Sequence, residues 1–195
     1  REALRLNPLM ADAHNNMGIT LAEIGQWQEA VAHHRQALDI KPDFAEGHHN
    51  LAKLLADHGQ FEEAIKHYNL ALRFKPDYAD AHCNLGAVLA DQGKHEEAMK
   101  HYLEALRLDP RLSAAHNNMA NSLAGMNRLD EAIPHYQEAI KLRPNYAEAY
   151  SNLGAAYYRK GQMEAAIEQF NQALKIQPDN PNAHNNLAMT LGRMG

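Results

Sequence analysis

Thirteen histidines in 195 residues raise metal chemistry first. A helix presents two imidazoles to one ion when they stand three or four residues apart. No two histidines here have that spacing. His33, His67, His101 and His135 recur instead every 34 residues, which spreads them too far for one ion. Each follows a glutamate by four (Glu29, Glu63, Glu97 and Glu131), the spacing of helix-surface pairing. A second row, His14, His48, His82, His116 and His184, with Tyr150 as its sixth member, reads as packing. Neither a metal site nor a cofactor is expected. Catalytic groups are equally hard to assemble. Ser113, Ser122 and Ser151 lie in no nucleophile elbow, and no glycine-rich phosphate loop is present. The carboxylates recur as a face rather than as one converging pair. No catalytic residue, and no enzyme, is expected.

The asparagines are more informative. Asn16, Asn50, Asn84, Asn118, Asn152 and Asn186 also keep the 34-residue step. An amide side chain offers a donor and an acceptor together, so it can pair with both the C=O and the N–H of an extended peptide. Packed helices sit on the order of 10 Å apart, and an extended chain advances about 3.3 Å per residue. One asparagine would then meet roughly every third peptide residue. Beside the row stand Asn15, His49, Cys83, Asn117, Ser151 and Asn185, which can extend hydrogen bonding to a ligand. A second reading stands beside this one: the amides bond neighbouring helices or simply face water.

The elements that must position these residues follow from the same period. Prolines fall at Pro8, Pro42, Pro76, Pro110, Pro144 and Pro178, with only Pro134 and Pro181 off the series. Alanines keep step at Ala37, Ala71, Ala105, Ala139 and Ala173, and glycines at Gly25, Gly59, Gly93, Gly161 and Gly195. Asn127 fills the missing glycine place, as the residue that best tolerates a left-handed helix cap. Each unit reads as two helices. The first runs over about 12–24 and stops at Gly25; the second runs over about 28–40 and stops before Pro42. His14, Met17, Gly18 and Leu21 form the core stripe of the first; Ala30, His34, Ala37 and Leu38 that of the second. One hairpin cannot bury its apolar face alone, so neighbours must stack. Asn16 then lies opposite the core stripe.

Bulk properties narrow the partners. The formal charge is −5 and the pI about 6.2, which disfavours a nucleic-acid partner held by phosphate contacts. No apolar run approaches ~18 residues, so no membrane span is expected. Cys83 is alone, which excludes an internal disulfide and fits a reducing compartment; the expected location is cytoplasmic.

The period, the alanine pair, the closing proline and an aromatic slot in the second helix (Tyr68, Tyr102, Tyr136 and Phe170, with His34 departing) resemble the tetratricopeptide repeat (TPR). The resemblance covers the whole chain, and the 34-residue step separates it from the 35-residue pentatricopeptide arrays that read RNA. It implies an all-α fold, a right-handed TPR superhelix (α-solenoid), as a single array. Full repeats span 11–44, 45–78, 79–112, 113–146 and 147–180. Residues 1–10 are expected to be the tail of a preceding repeat and 181–195 the first helix of a sixth. That terminal helix should expose Leu187 and Leu191. In such families the first helices line a concave groove, which makes the six asparagines a ladder along it.

The ladder is also similar to that of O-linked N-acetylglucosamine transferases, where such asparagines hold acceptor-protein backbones. The similarity is to the repeat region alone. Around the ladder, Asp12, Glu46, Asp80 and Glu148 form one inward row and Glu23, Asp57 and Asp91 another, against Lys53, Arg159 and Arg193. The acids crowd the first three repeats, so basic or neutral segments are the expected ligands. The carboxylate clamp of TPR domains that bind chaperone tails needs Lys or Arg where Asp12, Glu46 and Asp80 stand, which argues against an acidic tail. The leading expectation is a protein-interaction scaffold that binds extended peptide segments. The alternatives are a substrate-recruiting arm of a glycosyltransferase and a self-assembling module whose ends stack on other copies.

Overall fold

The computed structural model describes residues 8–194, so the expected tail over 1–7 and Gly195 lie outside the described residues. The described residues form eleven α-helices and no strand. They are α1 (Pro8–Glu23), α2 (Trp27–Ile40), α3 (Ala45–Asp57), α4 (Phe61–Phe74), α5 (Ala79–Asp91), α6 (His95–Leu108), α7 (Ser113–Gly125), α8 (Leu129–Leu142), α9 (Ala147–Arg159), α10 (Met163–Ile176) and α11 (Pro181–Met194). The chain divides into two compact units, Arg1–Val88 and Leu89–Gly195.

In the first unit α1 packs on α2 and α3 on α4, and α3 also touches α2 and α1. In the second, the hairpins α7/α8 and α9/α10 stack in the same way, with α11 against α10 and α9. The turns inside hairpins explain the glycine period. Gly25, Gly59, Gly93 and Gly161 have φ between +74° and +80°, and Asn127 has φ +61°. At the first of them, Gly25 N–H donates to Ala22 C=O and Gln26 N–H to Leu21 C=O, which satisfies carbonyls the helix end would leave bare.

Close approach within a hairpin rests on alanine. Ala30, Ala64, Ala98, Ala132 and Ala166 are wholly buried, as are their partners two turns on. A larger side chain would wedge the helices apart. The aromatic slot fills the remaining space: Tyr68, Tyr102, Tyr136 and Phe170 are all at most 2% exposed. Turns between hairpins share another device. Lys41 lies over the Phe44 ring, Lys75 over Tyr78 and Arg143 over Tyr146, each 4.5–4.8 Å from the centroid.

Two expectations change. Met17 is 48% exposed, whereas Leu51, Leu85, Met119 and Leu153 in the same slot are buried. Among the described residues no hairpin precedes α1 to cover it. In α11, Leu191 is exposed as expected, but Leu187 is half-buried and Met189 and Met194 are the exposed residues.

Candidate functional site

The ladder asparagines sit mid-way along the first helices and are partly buried, except Asn16, which is exposed. Three of them reach back to the preceding repeat. Asn50 Nδ2 donates to Asn15 Oδ1 at 3.1 Å, Asn84 Nδ2 to His49 Nε2 at 3.0 Å, and Asn152 Nδ2 to Asn117 Oδ1 at 3.3 Å. Five of the six residues in the row beside the ladder therefore turn inward: Asn15, His49, Cys83, Asn117 and Ser151 are buried, and only Asn185 is exposed. Packing of successive first helices puts each of these ladder amides against the neighbour row one repeat back.

Each acceptor is itself fixed. Asn15 Oδ1 also accepts from His34 Nδ1 at 3.1 Å. His49 uses Nε2 as acceptor for Asn84, so its Nδ1–H faces the Tyr78 hydroxyl at 3.1 Å. Asn117 Nδ2 donates to Glu148 Oε1 at 3.2 Å. A ladder amide so held spends one N–H on its neighbour. The amide group retains a second N–H and acceptor capacity on Oδ1.

Among the expected charges, Glu23, Lys53 and Asp57 are brought together with Asn50. α1 contributes Ile19 and Glu23, α2 contributes His34, and α3 contributes Asn50, Lys53 and Asp57 to a cavity of roughly 320 Å³. None of the three charged groups has an ion-pair partner among the described residues. Glu46 is engaged by Lys75 at 2.9 Å, whose hydrogen bond holds the carboxyl below its usual range. Arg159 is committed to the turn after α7, with bonds to Ala124 C=O at 2.8 Å and Asn127 Oδ1 at 3.0 Å. Arg193 lies 5.5 Å from the Tyr158 ring centroid. Asp12, Asp80 and Asp91 are exposed.

The histidine rows hold what spacing on one helix does not reveal. His14 faces His33, His48 faces His67 and His116 faces His135, with Nδ1···Nδ1 distances of 2.9, 2.9 and 3.1 Å. The sequence signal is a constant offset of 19 between the two rows. His48 Nε2 must donate to Pro42 C=O at 3.0 Å, so its Nδ1 accepts the proton of His67 Nδ1. His116 repeats this with Pro110 and His135. These pairs tie first helix to second. No group of three or more His, Cys, Asp or Glu among the described residues could hold a metal ion. No helix there is long and apolar enough to cross a membrane.

Helical hairpins closed by left-handed caps, seamed by alanine and stacked in series define an α-solenoid repeat protein. Models of the tetratricopeptide repeat match residues 79–112, 117–181 and 170–195, and a TPR repeat model matches 20–59 and 53–93. The chain belongs to the tetratricopeptide repeat family and is a protein-interaction scaffold of that kind. Among solved structures it is similar to YrrB, described as a TPR protein with an unusual peptide-binding site. Identity is 25% over 94% of this chain and 95% of that one, with a TM-score of 0.68. The thermophilic TPR protein TTC0263 of Thermus thermophilus is 22% identical over 93% and 98%, at TM-score 0.78. The APC/C hetero-tetramer Cut9–Hcn1 contains a chain 22% identical over 99% of this one and 38% of its own length, at TM-score 0.89. Among curated protein sequences none matches.

Proposed function

We propose that the chain binds extended protein segments along the exposed faces of its first helices, with the ladder asparagines holding the peptide backbone. The single observation behind this reading is the inter-repeat bonding of Asn50, Asn84 and Asn152. One N–H of each amide is pinned to the preceding repeat, which fixes the plane of the group before any ligand arrives. A donor and acceptor already oriented lose little rotamer freedom on binding. YrrB, described as having a peptide-binding site, supplies a likeness for the role. Asp12, Glu23, Asp57, Asp80 and Asp91 outnumber the nearby Lys53, which favours basic or neutral segments.

The test is a peptide array probed with wild type and with the Asn50→Ala/Asn84→Ala/Asn118→Ala variant. Helicity is checked by circular dichroism, because each lost inter-repeat bond weakens the stack. Binding of extended, basic-leaning peptides by wild type, lost in the folded variant, supports the ladder. Equal binding by both proteins, or by neither, sinks it.

A further inference from the structure

The cavity in the first unit contains a feature that backbone holding does not use. In the second-helix slot where the other repeats carry Tyr68, Tyr102, Tyr136 and Phe170, this repeat carries His34. The packing role is the same. Phe170 lies on Gly154, and His34 lies on Gly18, where a Cβ would meet the imidazole at 2.8 Å. But an imidazole brings two nitrogens into a place only 1% exposed. An amide oxygen only accepts, so His34 Nδ1 is the donor to Asn15 Oδ1. Burial lowers the His34 pKa to about 4, with His33 nearby adding to the effect, so the ring is neutral near pH ~7. Nε2 therefore carries a lone pair and no proton.

No described residue donates to that nitrogen. Nor is it sealed off: the fully enclosed, unbonded side-chain atoms among the described residues belong to Gln92, His95 and Ser122. Nε2 keeps a little accessible surface, and His34 is one of the residues that line the cavity. A deeply buried acceptor without a donor is costly, and a ligand N–H relieves the cost. The walls say which N–H. Leu54, 7% exposed, and Ile19 of α1 both line the cavity and give it apolar wall. Glu23 and Asp57 are beside it, and Lys53 offsets only one of the two carboxylates.

Resting on the peptide-binding reading above, we propose that this cavity is a subsite for one arginine side chain of the bound segment. Its guanidinium donates to His34 Nε2 at the floor and faces Glu23 and Asp57 at the rim, while Ile19 and Leu54 flank its methylene stem. A guanidinium suits the site better than an ammonium. It has five donors in one plane, serves a neutral acceptor and a carboxylate from different edges, and is more weakly hydrated. The subsite also gives the departure of His34 from the aromatic series a chemical reason.

The experiment compares two pools of short fluorescein-labelled peptides by fluorescence anisotropy. Flanking positions are degenerate among small and polar residues. The central residue is arginine in one pool and citrulline, its uncharged near-isostere, in the other. Wild type is compared with His34→Phe, Glu23→Gln/Asp57→Asn and Lys53→Gln. His34→Phe recreates the pairing of Phe170 with Gly154, so the slot stays filled. The expected result is about a tenfold preference of wild type for the arginine pool. It falls toward one in His34→Phe and in the double variant, and rises in Lys53→Gln. Equal binding of both pools by wild type overturns the subsite and leaves the groove reading standing. A preference that survives His34→Phe but not the rim variant overturns the seating on His34. Binding of neither pool overturns the subsite and the groove reading together.

Discussion

Asn50 donates its side-chain N–H to Asn15 Oδ1 at 3.1 Å, and the same oxygen accepts from His34, so one buried amide ties α1, α2 and α3 together. Asn50→Ala removes one of these bonds at a partly buried site. The expected cost is about 1 kcal/mol. Asn16, in the same row but exposed and with no side-chain bond of this kind among the described residues, should tolerate alanine within about 0.5 kcal/mol. Urea midpoints of the two variants check this. Equal midpoints would mean that the inter-repeat bond carries no stability.

Gly154 should not accept a methyl group. A Cβ there would lie 2.6 Å from Phe170 Cε1 and 2.7 Å from Cδ1, and the ring is wholly buried with nowhere to swing. Gly154→Ala is expected to cost about 1–3 kcal/mol, although Ala52 and Ala120 occupy the corresponding slots of the second and fourth repeats. Adding Phe170→Leu should return part of the loss, which makes the pair non-additive. Thermal unfolding of both single variants and the double decides it; simple additivity would refute the clash.

Pro134 lies inside α8, beyond the first turn that starts at Leu129. It cannot donate to the Asp130 carbonyl, and its ring crowds that turn. Lys66, Lys100 and Glu168 stand at the same point of neighbouring repeats. Pro134→Lys should therefore stabilise the chain by about 1–3 kcal/mol. A lowered melting temperature would show that the proline serves some packing role instead.

Acid should loosen the fold through its histidines. Burial is the main cause that holds His34, His48, His49, His67 and His135 below the usual histidine range, His34 at about 4. Unfolded imidazoles protonate near 6.5, so as pH falls the unfolded chain binds protons that the folded chain resists. The stabilisation is complete above about 6.5 and is lost progressively toward 4. A proton added at His48 Nδ1 would also oppose two N–H groups across 2.9 Å. Urea midpoints measured from pH ~7.5 to ~4.5 should be flat and then fall, with a shallower fall in His34→Phe. A midpoint that stays level throughout would refute the assignment.

Much of this protein was legible in its sequence because the repeat is a local code. Glycine at a positive φ, proline after the second helix and alanine at the helix seam act within one hairpin, and each recurs where the same backbone constraint recurs. The helix boundaries and the family follow from those constraints alone. The asparagine row was legible as a row, and its side of the helix followed from the helical turn. Its partners were not, because Asn50 bonds Asn15 across a repeat boundary, and spacing does not show which acceptor a stacked helix brings near. The histidines make the same point within a hairpin. Read along one helix, His48 and His67 belong to separate rows; packing turns the offset of 19 into a ring pair. The groove charges divided similarly. Glu23, Asp57 and Lys53 share a cavity, while Arg159 closes a turn and Glu46 pairs with Lys75. Sequence set which side chains recur and on which helical face. Only the tertiary structure decided which of them meet, because hydrogen bonds and cavities form between elements whose separation along the chain says little about their distance in space.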